Sequence, residues 1–343
     1  MFRNSMKKLL LSTTALAAAI SLALAACGDN RSMEYESASD SSTTAEKPSI
    51  VVTTNILGDV VSNMVGDTFT VEVIMPPGSD PHDFQASAQQ VDKMMNADLL
   101  VVNGANFEEG MLDVIEAAEA EGVMVFEAIS VVDQLEGGDD HSDHGGHDDH
   151  EGHDDHDDHE GHDHGGVDPH FFTDPARMAQ VVDGLTDFLV ANFPAVDESS
   201  LTSTANSYQQ QLQTLDAEVE DLLSAIPSDA RMLVTNHSVF AYFADRYQFE
   251  ILGSIIPSSS TLSSASAQQL ASLAEELRSE QVPAIFADAS SSSSLAETLA
   301  GEVGNVKVIT LFTESLGEPG SDGANYIAMV KFNAQEIVRG LVE

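Results

Sequence analysis

The sequence predicts an α/β fold in which two similar lobes, each with a parallel sheet, bracket one long helix. Three observations support this. Short apolar segments alternate with amphipathic segments from residue 50 onward, the alternation occurs in two separate sets, and residues 199–226 between the sets carry a continuous helical pattern. Apolar strands that alternate with helices indicate a parallel sheet covered on both faces. With 343 residues, of which 42% are hydrophobic, the chain can bury the core of two domains.

The first set contains four predicted strands and three predicted helices between them. The strands are IVVTTN (50–55), FTVEVIMP (69–76), DLLVVNGA (98–105) and VMVFEAIS (123–130). The helices are ILGDVVSNMVG (56–66), SAQQVDKMMNA (87–97) and EEGMLDVIEAAEAEG (108–122). Ser87 is the expected N-cap of the second helix, because a serine hydroxyl can accept a hydrogen bond from the first helical turn.

Two further helices precede the second set. The segment 172–193 has a helical pattern, and a longer helix begins near Ser199. Its apolar residues recur at spacings of three or four: Leu201, Ala205, Tyr208, Leu212, Leu215, Val219, Leu222 and Ile226. At about 1.5 Å per residue this helix would span roughly 40 Å, the height of a small domain.

The second set repeats the alternation of the first without a close sequence repeat. Its strands are RMLVTN (231–236), FEILGSIIP (249–257), VPAIFADA (282–289) and VKVITLF (306–312). Its helices are predicted at 239–248, 266–281, 294–304 and 325–342. The predicted domain organisation is a signal peptide (1–26), a flexible tether (27–47), an N-terminal lobe (48–195) with a disordered loop (137–166), a linking helix (196–227) and a C-terminal lobe (228–343).

The N-terminus has the features of a bacterial lipoprotein signal. Arg3, Lys7 and Lys8 precede an apolar, alanine-rich run that ends in Leu-Ala-Ala and Cys27, the one cysteine of the chain. We expect cleavage before Cys27 and attachment of a lipid anchor to its thiol, which places the protein outside the cytoplasm. The alternative is an ordinary secretory signal that contains a cysteine. Because a lipidated Cys27 leaves no thiolate, any bound metal would have nitrogen and oxygen ligands.

The charge of the chain excludes some partners. Lys and Arg total 13 against 57 Asp and Glu, which gives a formal net charge of −44. Such a surface repels nucleic acid and concentrates cations, so we expect no nucleic-acid partner and a monomeric protein. Solubility in a salty environment is an alternative reason for the acidity.

A histidine-rich segment carries much of this charge. Residues 137–166 contain no apolar side chain and therefore cannot form a core. Nine of the 12 histidines lie there: His141, His144, His147, His150, His153, His156, His159, His162 and His164. Imidazoles separated by carboxylates and glycines can form a weak, multidentate trap for divalent cations. The alternative is an acidic linker, which would not explain the histidines.

The other three histidines are the candidates for a specific site. His82, His170 and His237 each follow a predicted strand or precede a predicted helix, and ligands of open α/β sheets bind at that edge. Two of them occur in the same pattern, Asp-Pro-His. A neighbouring aspartate, Asp83 or Asp168, could accept the second ring N–H and orient the imidazole. Three imidazoles with a carboxylate or water suit tetrahedral Zn²⁺, whereas Mn²⁺ prefers more oxygen ligands.

These motifs resemble those of the solute-binding lipoproteins of zinc and manganese ABC importers, the ZnuA-like group of cluster A-I. The matching stretches are PPGSDPHDF, ADLLVVNGANFEEGML, DPHFFTDPARM, VTNHSVFAYFADRYQ and LFTESLGEPGSDGANYIAMVKFNAQEI, and the resemblance covers residues 48–343. The resemblance implies two lobes joined by one long rigid helix, with a metal ion between the lobes. It also implies a partner permease in the membrane.

The resemblance further implies a ligand set of His82, His170, His237 and a carboxylate near the end of the last strand. In this chain that carboxylate is Glu314 of TESLG, where the family more often has aspartate; Asp288 is the second candidate. Manganese-binding members often have a carboxylate at the position of His237, so this chain is expected to bind Zn²⁺ rather than Mn²⁺.

Two functions of other classes remain as alternatives to metal capture for import. Three histidines with an open fourth position also form catalytic zinc sites, so a zinc-dependent hydrolase or lyase is one alternative. Against it, the sequence has no HExxH motif and no recognisable nucleophile motif. A surface adhesin or metal store that uses only the histidine-rich segment is the other, and it would leave the second lobe without a role.

The histidine-rich segment yields a first prediction. Deletion of residues 137–166 should leave one tight zinc site and an unchanged melting temperature, while the number of weakly bound zinc ions falls. The sites on the deleted segment are expected to be weak because a flexible chain loses entropy when it wraps an ion. The weak capacity of the wild type should fall as the pH drops through about 6.5, where imidazole becomes protonated. Calorimetric titration of both proteins measures this. Equal zinc stoichiometry would favour the acidic linker.

Overall fold

The computed structural model describes residues 47–137 and 166–342. The predicted signal peptide, the predicted lipidation site Cys27, all but the end of the predicted tether and the nine histidines of the histidine-rich segment lie outside these residues. Within the described ranges, no helix combines the length and the apolar composition that a bilayer crossing requires.

The first sheet has the strand order β2-β1-β3-β4, and all of its pairs are parallel. Its strands are β1 (Ser49–Val52), β2 (Thr70–Val73), β3 (Leu99–Val102) and β4 (Val125–Glu127). The helices that follow β1, β2 and β3 are α1 (Asn55–Val65), α2 (Ala88–Met95) and α3 (Leu112–Ala120). Because β1 and β3 are buried almost throughout, their sequences are apolar at successive positions instead of alternating.

The second sheet has the equivalent order, β6-β5-β7-β8, and its pairs are also parallel. Its strands are β5 (Met232–His237), β6 (Glu250–Ile256), β7 (Ala284–Asp288) and β8 (Lys307–Leu311). Its helices are α6 (Ala241–Tyr247), α7 (Ala267–Ser279), α8 (Ser294–Val303) and α9 (Tyr326–Val342). The predicted α/β class with two similar parallel sheets is therefore confirmed.

Two helices lie between the sheets in the sequence, α4 (Pro175–Asn192) and α5 (Glu198–Leu223). With 26 residues, α5 is about 39 Å long at about 1.5 Å per residue. It packs against α1 and α4, which precede it in the sequence, and against α9, which follows it. The described residues belong to one compact unit, and the residue boundaries predicted for the separate lobes stay a prediction.

The buried stripe of α5 differs from the predicted one at its end. The buried residues are Leu201, Ala205, Tyr208, Leu212, Leu215, Val219 and Leu223. Leu222 is only half-buried, and Ile226 is buried beyond the end of the helix. A step of four from Val219 reaches Leu223, and with 3.6 residues per turn steps of three and four are equally compatible with one face.

The helices α2 and α7 begin with the same three residues, Ala-Gln-Gln, and have the same serine cap. The Ser87 side chain accepts a hydrogen bond from the Gln90 backbone N–H, and the Gln90 side chain accepts one from the Ser87 N–H. Ser266 and Gln269 repeat this capping box at α7. The predicted N-cap at Ser87 is thus confirmed. The reciprocal bonds satisfy donors that a helix start otherwise leaves unpaired, and they fix equivalent starts in both sheets' helices.

The buried face of α5 can be tested by replacing a buried leucine and a half-buried leucine with alanine, each in a separate variant. Leu212→Ala should lower the free energy of unfolding by roughly 2–5 kcal/mol, because Leu212 is fully buried and its truncation leaves a cavity. Leu222→Ala is the matched control in the same helix and should cost about 1 kcal/mol or less. Urea unfolding measures both. Equal costs would contradict the assigned buried face.

Candidate metal centre

One buried carboxylate and three imidazoles meet between the two sheets. Glu314 Oε1 lies 2.8 Å from His82 Nε2, 3.0 Å from His237 Nε2 and 3.3 Å from His170 Nε2. The four potential ligand atoms lie within 4.8 Å of one another. His170 and His237 have no exposed surface, Glu314 is 1% exposed and His82 is 2% exposed. This group, which the sequence singled out residue by residue, could hold a metal ion.

Both lobes contribute to the group. His82 lies in the loop after β2, and His170 comes just before α4. His237 is the last residue of β5 rather than a residue of the following turn, and Glu314 follows β8. The carboxyl ends of parallel strands meet at one edge of a sheet, which is where loops can carry side chains to a common point.

The repeated Asp-Pro-His pattern has a local structural role. Asp80 Oδ1 accepts the backbone N–H of His82 at 3.0 Å, and Asp168 Oδ1 accepts the backbone N–H of His170 at 2.8 Å. An aspartate that bonds the N–H two residues later forms a turn of its own, and the proline between them restricts φ. The backbone of each histidine is therefore held by an aspartate of its own turn, independently of the side chains of the other lobe.

The second ring nitrogens have different partners. Asp168 Oδ1 lies 2.8 Å from His170 Nδ1, in agreement with the expectation for Asp168. For His82 the partner of Nδ1 is Glu109 Oε1 at 3.1 Å, and Asp83 is exposed, so the alternative of Asp83 was wrong. An anionic acceptor at Nδ1 favours the tautomer that leaves the lone pair on Nε2, the nitrogen that faces Glu314.

A strained loop places Glu109. Gly104, Ala105 and Asn106 all have positive φ (86°, 51° and 58°), which is uncommon for residues other than glycine. The buried Glu108 carboxylate accepts hydrogen bonds from the Asn103 N–H at 2.7 Å and the Thr53 hydroxyl at 2.6 Å. These bonds offset the cost of the backbone conformation.

The same loop packs an aromatic ring against two of the histidines. The Phe107 ring contacts those of His82 and His170 edge to face, with centroids 5.1 Å and 5.5 Å away. Sequence reasoning missed the roles of Phe107, Glu108 and Glu109. Two adjacent glutamates at a predicted helix start are typical of solvent-exposed charges that favour the helix N-terminus.

The charges of the group stabilise one another. Burial alone would raise the pKa of Glu314, but the imidazoles of His237, His170 and His82 hold it well below its ordinary range. Burial opposes the charged form of His82, yet the bonds to Glu109 and Glu314 outweigh it and raise its pKa to about 10. The pKa of His170 is also raised, against its burial, by Asp168 and Glu314.

Asp288 lies near the group but outside it. Its carboxylate accepts hydrogen bonds from the Thr313 hydroxyl at 2.6 Å and from the Ser290 hydroxyl. Burial and the charge of Glu314 raise the pKa of Asp288. Of the two carboxylates named from the sequence, Glu314 is the one among the imidazoles, and its Oε2 atom is buried without a hydrogen-bond partner.

Comparison with known proteins agrees with the two-lobe fold and relates the chain to metal-binding proteins. The family model "Zinc-uptake complex component A periplasmic" (ZnuA) matches residues 50–340. The zinc-binding protein TroA of Treponema pallidum is 30% identical over 302 residues, which are 86% of this chain and 89% of TroA. The manganese ABC transporter substrate-binding lipoprotein PsaA of Streptococcus anginosus is 26% identical and covers 93% of this chain and 95% of its own.

Solved structures give the same result. The structure of TroA, described as a periplasmic zinc-binding protein, superposes with a TM-score of 0.72 and 29% identity and covers 87% of this chain and 100% of TroA. A manganese-bound periplasmic metal-binding protein of Candidatus Liberibacter asiaticus, 19% identical with a TM-score of 0.71, shares the fold and covers 86% of this chain and 100% of its own. The chain belongs to the ZnuA family of periplasmic zinc-uptake components.

Proposed function

We propose that this protein captures Zn²⁺ outside the cytoplasm and delivers it to the permease of an ABC importer. Its ligands are His82, His170, His237 and Glu314. The observation that carries the proposal is the convergence of three Nε2 atoms on Glu314 Oε1 at 2.8–3.3 Å in a site without solvent exposure. Three imidazole nitrogens and a carboxylate oxygen match the ligand types and number of a closed tetrahedral zinc site.

The donor set favours Zn²⁺ over the alternative, Mn²⁺. Mn²⁺ suits oxygen-rich, higher-coordinate sites, whereas three of the four donors here are imidazoles. The buried Oε2 atom of Glu314, which has no hydrogen-bond partner, is further evidence for a cationic ligand. Burying a carboxylate oxygen without a donor costs free energy unless a positive charge lies close by. Relatives that are named for zinc and for manganese both exist, so the donor set decides the metal in this proposal.

Anchoring and partner follow from the same assignment. We expect a lipid at Cys27 to hold the protein at the outer face of a membrane. We also expect the protein to be a monomer that binds the permease. Several relatives are named substrate-binding lipoproteins of ABC transporters. The histidine-rich segment, with its nine histidines, would serve as a weak auxiliary trap for Zn²⁺ beside the buried site.

An enzymatic function is disfavoured by the closed ligand sphere. Glu314 occupies the position that a catalytic zinc site leaves to water or substrate. The zinc-loaded protein should therefore not hydrolyse p-nitrophenyl acetate faster than the protein with the His82→Ala substitution. Turnover that depends on His82 and exceeds that of free zinc would favour the hydrolase.

The ligand assignment is tested by substituting each member. His82→Ala, His170→Ala or His237→Ala should each lower the zinc affinity by orders of magnitude, since each removes one of four bonds to the ion. Glu314→Gln keeps the shape and one oxygen, so it should weaken binding less than the loss of a histidine. Competition with a chromogenic zinc chelator measures the affinities. Wild-type affinity in all three histidine variants would overturn the assignment.

The orientation of His170 can be tested separately. Asp168→Asn keeps the side-chain size but replaces the anionic acceptor at His170 Nδ1, so zinc affinity should fall by about 10- to 100-fold. Asp83→Asn is the matched control, because Asp83 is exposed and lies beside another of the histidines. The same chelator competition compares them. An equal effect of both substitutions would contradict the role of Asp168.

A further inference from the structure

A serine-rich loop of the second lobe contacts the two first-lobe residues that hold His82. We define this loop as residues 258–263, between β6 and α7. The Thr261 hydroxyl donates a hydrogen bond to Asp80 Oδ2 at 2.8 Å, and the Ser260 side chain is a polar neighbour of Glu109 that stabilises its charged form. Asp80 holds the backbone N–H of His82, and Glu109 holds its Nδ1.

One carboxylate thus joins His82 to the other lobe. Glu109 accepts a hydrogen bond from the ring of His82 on the first lobe, and Ser260 of the second lobe is its polar neighbour. Its partial burial would raise its pKa, but His82 and Ser260 outweigh the burial and keep the pKa of Glu109 below its ordinary value. A movement of the serine-rich loop away from the first lobe breaks the Thr261–Asp80 bond, separates Ser260 from Glu109 and leaves His82 less firmly oriented.

Other contacts between the lobes near the site are better protected from water. Asn55 donates a hydrogen bond to the Ser315 hydroxyl at 2.8 Å and accepts the Leu316 N–H at 2.7 Å. Both bonds are buried and lie beside Glu314. In the serine-rich loop, by contrast, Ser259 and Leu262 are exposed. Opening at this loop therefore breaks less protected contacts than opening beside Glu314.

An ion held by the four ligands would need such an opening in order to leave. None of the ligands is more than 2% exposed, so release requires part of the surrounding chain to move. We propose that Glu109 is a positioning residue and that the Thr261–Asp80 bond, together with the contact of Ser260 with Glu109, forms a latch that slows the release of the metal ion. This inference rests on the proposed function, since it takes the buried group as the metal site.

The latch is tested by the rate of zinc release from the full chain. One equivalent of Zn²⁺ is loaded, and its transfer to an excess of a fluorescent chelator is followed by stopped flow. Ser260→Ala and Thr261→Val each remove one hydroxyl, so each should raise the release rate about threefold to tenfold. The double variant should approach the product of the two effects. Ser263→Ala is the matched control, because its hydroxyl bonds Ser258 within the same loop, and it should release zinc at the wild-type rate.

A double-mutant cycle separates a latch from a general loss of structure. In the Glu109→Ala background, Ser260→Ala should have no further effect on release, because its partner is gone, while Thr261→Val should retain its full effect. Melting temperatures of the metal-free variants should stay close to that of the wild type.

The failures of the two proposals are distinguishable. A wild type that binds no zinc tightly overturns the proposed function and the latch together. Tight binding with release rates that Ser260→Ala and Thr261→Val leave unchanged overturns the latch alone. So does a full effect of Ser260→Ala in the Glu109→Ala background.

Discussion

The sharing of one carboxylate oxygen by three imidazoles is the interaction on which the rest of the structure depends. Glu314 is completely enclosed, and an isolated carboxylate there would be strongly destabilised by the loss of water. Its nitrogen partners come from both lobes, at 2.8–3.3 Å. The charge can be buried because the two lobes meet at this point, and a ligand that binds the same four groups is bound by both lobes at once.

The architecture supplies that meeting point through repetition. Both sheets have the order 2-1-3-4 when their strands are numbered from their own first strand. The site residues lie at the ends of the strands or in the segments that follow them. The long helix α5 packs against helices associated with each sheet, so a single helix contacts both lobes. The hydrogen bonds of Asn55 with Ser315 and Leu316 then fix the first lobe beside Glu314.

The imidazoles differ in their surroundings although they share a partner. His170 is held at both its backbone N–H and its Nδ1 by Asp168, within one short turn. His82 has Asp80 for its backbone and Glu109 for its ring, two residues that are distant in sequence and that both contact the serine-rich loop. His237 Nδ1 is buried without a partner. Of the three, His82 is the one whose orientation depends on a contact across the lobes.

The sequence predicted the elements and the three histidines of the site because both depend on local patterns. Strands such as Leu99–Val102 are apolar at every position, and His82, His170 and His237 occupy the ends of elements, where few other roles need an imidazole. Glu314 came from the family resemblance alone. Glu109 was not predictable, since its partners His82 and Ser260 are brought to it by tertiary structure. The exchange of Leu222 for Leu223 on α5 has the same cause, because the helical period permits both and packing decides between them.

X-ray absorption at the zinc edge tests the central claim most directly. The protein is loaded with one equivalent of Zn²⁺, so that the buried site is filled before weaker sites. The account predicts a first shell of about four nitrogen and oxygen atoms at about 2.0–2.1 Å, with the multiple scattering of three imidazole rings that disappears ring by ring in the histidine variants. A shell of about six oxygen atoms with one imidazole or none would contradict it.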